Sequence, residues 1–290
     1  MPYEFTALCA LALTVSPQLA IEGTERSSEI SVTTDGRIAF VNVSAGDADI
    51  FLADPDGRNL RRLTSGGGKD TPSWSSDGRS IAFVWDRENN ADIYIVDLAD
   101  GITRPAITGP AYEIHPDWSH GDNRLMFTRY TEGVDEFEAL TLHAANQDGS
   151  DEVTLGTASY GSHSPDGMQI AYWRYFDENA DIAIANADGS NERRATTDPA
   201  FDGWPSWSPD GRFIAFARRD DEGTLIHLLN VETGESCPVT QGQDSDTSPR
   251  WRPDGTGLYF DRSGDGQLSI MSLRFGEMSF TRVQSSDSGN

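Results

Sequence analysis

One eight-residue pattern recurs along this chain at nearly constant spacing, and it constrains the fold more than any other feature. The clear copies are Thr71-Pro-Ser-Trp-Ser-Ser-Asp-Gly78, His115-Pro-Asp-Trp-Ser-His-Gly-Asp122, Trp204-Pro-Ser-Trp-Ser-Pro-Asp-Gly211 and Ser248-Pro-Arg-Trp-Arg-Pro-Asp-Gly255. A worn copy, Tyr160-Gly-Ser-His-Ser-Pro-Asp-Gly167, carries His163 where the others carry tryptophan. Trp74, Trp118, His163, Trp207 and Trp251 are separated by 44, 45, 44 and 44 residues. An earlier copy keeps only Asp35-Gly36, 42 residues before Asp77-Gly78.

Each part of the pattern has a physical reading. Proline opens a strand where no ladder donor is needed. Tryptophan offers a large apolar face to a neighbouring unit. Asp-Gly closes a tight hairpin, with glycine taking positive φ and aspartate bonding nearby amides. A second strand follows each turn: Arg37-Ile-Ala-Phe-Val41, Ser80-Ile-Ala-Phe-Val84, Arg124-Leu-Met-Phe-Thr128, Gln169-Ile-Ala-Tyr-Trp173, Phe213-Ile-Ala-Phe-Ala217 and Gly257-Leu-Tyr-Phe-Asp261. The central alanine in four of the six predicts close packing there. Third strands begin Asp49-Ile, Asp92-Ile and Asp181-Ile, with looser versions elsewhere, and short outer strands such as Leu60-Arg-Arg-Leu-Thr64 complete each period. No helical period of useful length intervenes. Four short strands per period of this length make a propeller blade. The span from about Ile30 to Gln284 holds six. The expected fold is all-β: one six-bladed β-propeller of four-stranded antiparallel blades.

Composition narrows the function. The formal charge is −25, from 47 acidic and 22 basic residues. Such a surface repels phosphate backbones and anionic headgroups, so neither nucleic acid nor an anionic membrane is an expected partner. The two cysteines, Cys9 and Cys237, predict neither a disulfide framework nor a cysteine metal site. Phe5 to Val15 is an apolar run of signal-peptide length, followed by Ser16-Pro17-Gln18-Leu19-Ala20, although Met1 to Glu4 contains no Lys or Arg. Residues 1–20 are therefore expected to be an export leader and 21–290 the propeller. The location is then periplasmic or extracellular, or cytoplasmic if the segment is not a leader. The run is too short to cross a bilayer.

The repeat resembles the TolB-like, or PD40, propeller repeat. The residues that carry the resemblance are Pro-x-Trp-Ser-x-Asp-Gly, Ile-Ala-Phe, Asp-Ile-Tyr, then Asp-Gly and Leu-Thr, over about 255 residues. It implies a six-bladed propeller of the bacterial cell envelope. The same repeats occur as the propeller of prolyl-oligopeptidase-like enzymes. TolB carries an α/β domain before its propeller, whereas here fewer than 30 residues precede the first repeat.

Catalytic signatures are sparse. The sequence has no Gly-x-Ser-x-Gly elbow, P-loop, His-Glu-x-x-His or EF-hand loop. Asp220-Asp221-Glu222 is read as a solvated acidic loop, with calcium as the alternative, and no other cofactor is expected. Of the five histidines, His115, His120, His143, His163 and His227, none has metal-ligand spacing. No catalytic or metal residues are therefore assigned.

A partner site is expected where the inner strands begin, at one mouth of the channel. His115, Tyr160 and Trp204 stand there in three consecutive blades, with Asp70, Glu113, Asp202 and Asp246 as a carboxylate rim. This arc suits a basic or extended peptide, or a sugar. Arg129, Arg174, Arg218 and Arg262 recur in register after the second strands, at spacings of 45, 44 and 44. They predict either ion pairs within the blades or a cationic ring for a carboxylate ligand. The leading function is a non-enzymatic, monomeric propeller that binds a protein or peptide. The alternatives are a metal-assisted hydrolase or lyase at the channel mouth, and a propeller subunit of a separately encoded peptidase.

Overall fold

The computed structural model describes residues 5, 8–10, 12–13, 18–19, 26–119, 121, 124–135, 138–264 and 267–275. His120, Thr14 and Val15 at the end of the apolar run, and Ser16, Pro17 and Ala20 after it lie outside them. A two-residue strand, β1 (Gln18–Leu19), precedes six antiparallel units. Blade 1 is β2 (Arg26–Val32), β3 (Ile38–Ser44), β4 (Asp47–Ala53) and β5 (Arg61–Arg62). Blade 2 is β6 (Lys69–Trp74), β7 (Ser80–Arg87), β8 (Asn90–Asp97) and β9 (Thr103–Ile107). Blade 3 is β10 (Tyr112–Trp118), β11 (Arg124–Tyr130), β12 (Leu140–Asn146) and β13 (Val153–Gly156). Blade 4 is β14 (Ser159–His163), β15 (Gln169–Phe176), β16 (Asn179–Asn186) and β17 (Arg193–Arg194). Blade 5 is β18 (Phe201–Trp207), β19 (Phe213–Arg219), β20 (Thr224–Asn230) and β21 (Ser236–Pro238). Blade 6 is β22 (Ser245–Trp251), β23 (Gly257–Gly264) and β24 (Gln267–Arg274), with β1 as its outer strand. One parallel bridge, Thr224 to Ser245, links the sheets of blades 5 and 6.

The apolar alternation of these strands places the core between blades, in six clusters. One cluster joins blades 1 and 2 through Ala39, Trp74 and Phe83. The last joins blades 6 and 1 through Tyr259, Ile270, Ile30 and Phe40, which closes the ring. The second-strand aromatics Phe40, Phe83, Phe127, Phe216 and Phe260 are fully buried, and Tyr172 nearly so.

The alanine before each aromatic matters for the tryptophan of the following blade. Trp74 shares a cluster with Ala39, Trp118 with Ala82, Trp207 with Ala171 and Trp251 with Ala215. At two seams the sizes are reversed. Where blade 4 has His163 instead of tryptophan, blade 3 has Met126 instead of alanine. A Cβ on Gly161 would lie 2.5 Å from Met126 Cε and 2.6 Å from its Sδ, so a methionine fills this seam only beside glycine, not beside the usual proline. His163 is retained by polar contacts instead: its amide and Nδ1 lie 3.1 and 2.7 Å from Asp117 Oδ2 in blade 3. Where blade 1 has Val32 instead of tryptophan, blade 6 has Tyr259 instead of alanine, and the two meet in one cluster.

The turns follow the sequence pattern. Ser75, Ser164 and Ser208 donate hydroxyl bonds to Asp77, Asp166 and Asp210. Those bonds hold the carboxyls of Asp77 and Asp166 below the usual range. Gly78 and Gly211 have φ of 66° and 71°, the left-handed region open to glycine. The Leu-Thr element also has a role: the hydroxyls of Thr64, Thr196 and Thr240 accept the amides of Ile50, Ile182 and Ile226 in the third strands.

The described part of the N-terminal segment packs against the ring. Its described residues Phe5, Leu8, Cys9 and Ala12 are buried in the cluster between blades 5 and 6. Gln18 and Leu19 pair with Ser272 and Met271. Cys9 and Cys237 form a disulfide, which corrects the reading that the two cysteines imply none. Proximity across 228 residues of chain depends on ring closure, which sequence spacing does not reveal.

Candidate functional site at the channel mouth

Every inner strand bulges once against its neighbour, and each bulge contains a non-glycine residue in the left-handed region. The six are Glu29 (φ 52°), Thr71 (41°), His115 (52°), Tyr160 (57°), Trp204 (54°) and Ser248 (51°). Such a conformation costs on the order of 1–2 kcal/mol per residue, so the surrounding blade must hold it. A bulge adds one residue to the strand and re-aims a side chain. Here Glu29, Thr71, His115 and Tyr160, from four blades, line one small cavity of about 20 Å³ together with Arg250.

The ring is asymmetric. His115 and Tyr160 have centroids 4.1 Å apart, and Tyr160 and Trp204 6.1 Å apart. The aromatic contacts continue outward through Phe201 (5.5 Å), Trp173 (5.4 Å) and Tyr175 (5.8 Å). Trp173 and Tyr175 border a groove of about 220 Å³ with Leu140, Arg174 and Asp177. Beside this ribbon, and bonded to it through Tyr160, stands an acidic group. The Glu29 amide donates to Asp261 Oδ2 at 2.9 Å, and the Tyr160 hydroxyl donates to Glu29 Oε2 at 2.8 Å. Burial and the neighbouring Asp70 push Glu29 up to about 7. Burial, with Glu29 beside it, also raises Asp261 well above the carboxylate range. The protein walls raise Asp70, although its side chain still reaches solvent. Burial, then Arg250, lowers His115 to about 3, so its imidazole is neutral. The Nδ1 of His115 and Oγ1 of Thr71 are buried without a partner among the described residues.

His115, Tyr160 and Trp204 thus converge as one aromatic group, and Asp70 lies near enough to Glu29 to act on it electrostatically. Glu113, Asp202 and Asp246 do not stand on a rim: their side chains are fully buried. Successive strand residues face opposite sides, and these three sit one position out of register with Asp70. Each instead pairs with the arginine opposite it. Arg129 meets Glu113 at 3.0 Å and also Glu152 at 2.6 Å. Arg218 holds Asp202 at 2.7 and 2.8 Å, and Arg262 holds Asp246 at the same two distances. Blade 4 has Ala158 at the acid position, and Arg174 turns to Glu192 at 3.1 Å. The arginine register is therefore one of ion pairs rather than a cationic ring. Sequence reasoning missed Glu29, Asp261 and Arg250. Asp261 had a signal, since the matching positions are Val41, Val84, Thr128, Trp173 and Ala217.

Among the described residues, no three His, Cys, Asp or Glu side chains are placed to hold a metal ion. No described helix is long and apolar enough to cross a membrane.

Comparison with known proteins matches this architecture. Over 108 residues, 37% of this chain, it is 32% identical to the Tol-Pal system protein TolB of Desulfosudis oleivorans, spanning 24% of that protein. Over 84 residues, 27% of this chain, it is 40% identical to a TolB homolog of Chlorobium luteolum, spanning 19% of it. The matched segments thus span about a quarter or less of these relatives. Among solved structures, TolB from Acinetobacter baumannii superposes with a TM-score of 0.65 at 20% identity, over 79% of this chain and 57% of that one. An oligogalacturonate lyase in complex with manganese gives 0.59 at 13% identity, over 88% and 90%, a likeness of fold alone. The model of the TolB beta propeller domain, PD40, matches residues 32–159 and 132–290. The chain belongs to the TolB β-propeller (PD40) family.

Proposed function

We propose that this chain is a non-catalytic propeller that binds a protein or peptide partner at the channel mouth, in the cell envelope. The observation that carries the reading is the continuous aromatic ribbon from His115 through Tyr160 and Trp204 to Phe201 and Trp173, set beside an acidic group. Tyr160 is buried, while His115, Trp204, Phe201 and Trp173 are partly exposed and supply contact area on a rigid rim at low entropic cost. The solvent-reaching carboxyl of Asp70 favours a partner with basic residues. The relatives named as Tol-Pal system proteins support a protein partner and an envelope location. The partner binds a single copy of this chain.

A second reading, an enzyme at the same mouth, is favoured by one observation. Glu29 titrates near 7 beside Asp261, as suits a group that exchanges a proton at neutral pH. A metal-assisted version, or calcium at Asp220-Asp221-Glu222, would need ligands beyond those the described residues bring together.

Capture from the native envelope fraction separates the readings. Trp204 packs against the cluster between blades 5 and 6, so Trp204→Leu is expected to fold with a lowered melting temperature, and Asp70→Asn to retain the wild-type one; each is expected to lose the partner that the wild type retains. Equal capture by all three proteins would exclude the mouth as the binding surface. Turnover of a substrate that Glu29→Gln abolishes would favour the enzyme instead.

A further inference from the structure

Past the mouth, toward the Asp-Gly turns, the channel widens into a chamber of about 340 Å³ walled by all six blades. Ligand sites of small molecules begin at about this size. Its width has a sequence cause. Two residues after each left-handed residue the inner strands carry Ser31, Ser73, Asp117, Ser162, Ser206 and Arg250. Four serines leave the lumen open and line it with hydroxyls. Trp118, Trp207 and Trp251, with Pro165, Pro209 and Pro253, supply apolar wall.

The ionisable side chains in this wall are Arg250, Asp117 and His163. Asp117 accepts from His163 on the blade 3 side. Arg250 stands three blades away. Its described hydrogen bond goes from Nη1 to the Pro249 carbonyl at 3.0 Å, and its guanidinium carbon lies 5.9 Å from the Tyr160 ring centroid. Among the described residues no carboxylate lies within ion-pair distance of it, whereas Arg129, Arg174, Arg218 and Arg262 each have one. Glu29 and Asp261 act on Arg250 only at longer range, from the mouth side. A guanidinium facing a half-enclosed chamber without a paired carboxylate suits an incoming one, which it can grip through two parallel bonds.

We propose that the chamber is a second binding site, which meets the mouth cavity at Arg250, for a carboxylate attached to an amide: the end of an N-acyl amino acid, whether free or as a peptide C-terminus. The carboxylate meets Arg250. Asp117 on the opposite wall repels it and so fixes its direction. The serine hydroxyls bond the amide, and the Trp and Pro wall takes an apolar acyl group.

The test uses N-benzoylglycine and its neutral counterpart N-benzoylglycinamide with the full chain, by calorimetry and thermal shift. The acid is expected to bind at least tenfold more tightly than the amide, and Arg250→Gln to remove that preference. Ser162→Leu, which fills the chamber and keeps Arg250, is expected to weaken the acid by a similar factor. Equal binding of acid and amide, or a preference that survives Arg250→Gln, overturns the proposal. If Arg250→Gln does not fold, undiminished binding by Ser162→Leu overturns it alone. A pentapeptide acid that binds as tightly as N-benzoylglycine identifies a peptide C-terminus as an accepted source, and a much weaker one restricts the site to free acids. Trp204→Leu, which impairs only the mouth, should leave acid binding unchanged, so failure of either site is separately visible.

Discussion

The reversed packing between blades 3 and 4 makes a demanding prediction. Met126 is 1% exposed and packs with Leu142, Ile170 and Tyr172. Its truncation in Met126→Ala removes buried side-chain atoms and leaves a cavity, which costs about 2–5 kcal/mol. His163→Trp, made alone, drives an indole toward space held by the Met126 thioether and breaks the bond to Asp117, costing about 1–3 kcal/mol through overpacking. The double variant restores the alanine and tryptophan of the other seams. It is expected to be more stable than the sum of the singles by about 1–3 kcal/mol, the range for residues in contact. With an unfolding entropy of ~2.1 cal/mol/K per residue, a ~3 kcal/mol loss in a chain of 290 residues lowers Tm by ~5 °C. The assay is denaturant unfolding of the four proteins, followed by tryptophan fluorescence and circular dichroism, with coincident transitions required. Losses that add within about 0.5 kcal/mol would refute the reciprocal packing account.

Other outcomes follow from the same structure. Arg218→Met leaves the fully buried Asp202 unpaired and is expected to cost about 3–5 kcal/mol, while Asp202→Leu with Arg218→Met recovers most of it. Equal melting temperatures for single and double variants would contradict this. Glu29 is raised from 4.5 to about 7, so the folded state binds a proton that the unfolded state releases. Its contribution is therefore fully present below pH 4.5 and falls as pH rises to 7. Glu29→Gln should raise Tm at pH 8 more than at pH 4, and a gain confined to pH 4 would reverse the assigned sign. Thr71 is β-branched at φ 41°, with its hydroxyl unpartnered, so Thr71→Gly should be neutral or stabilising by up to about 1 kcal/mol in thermal melts. A loss beyond that would show that its side chain supports the ring. Reduction, or Cys237→Ser, should cost about 2–4 kcal/mol, and an unchanged Tm would argue against the bond to Cys9.

The repeat made the fold legible because each blade needs the same few residues at the same places. The tryptophan, the small residue before the aromatic and the Asp-Gly turn each answer one packing or dihedral demand. The seam at His163 was visible as a departure, yet its compensation by Met126 needed the knowledge that blade 3 is its neighbour. The aromatic arc was legible for a similar reason: His115, Tyr160 and Trp204 precede the same motif position. The acids were not, because Glu113 and Asp70 differ by one residue in register and strand alternation sends them to opposite sides. Glu29 and Asp261 come together only through closure of the ring. The same closure joins Cys9 to Cys237, and no local pattern encodes it.

The two reversed seams lie half a ring apart, between blades 3 and 4 and between blades 6 and 1. A chain of similar blades risks docking the wrong partners while it folds. Four seams share one lock and key, a tryptophan against an alanine, and would accept one another. The reversed pair does not fit them: an alanine edge leaves His163 or Val32 loosely packed, and a Met126 or Tyr259 edge refuses a tryptophan. The mismatch gives blades 1 and 4 an address. It marks where each run of three begins, and it biases assembly toward a ring with its blades in order.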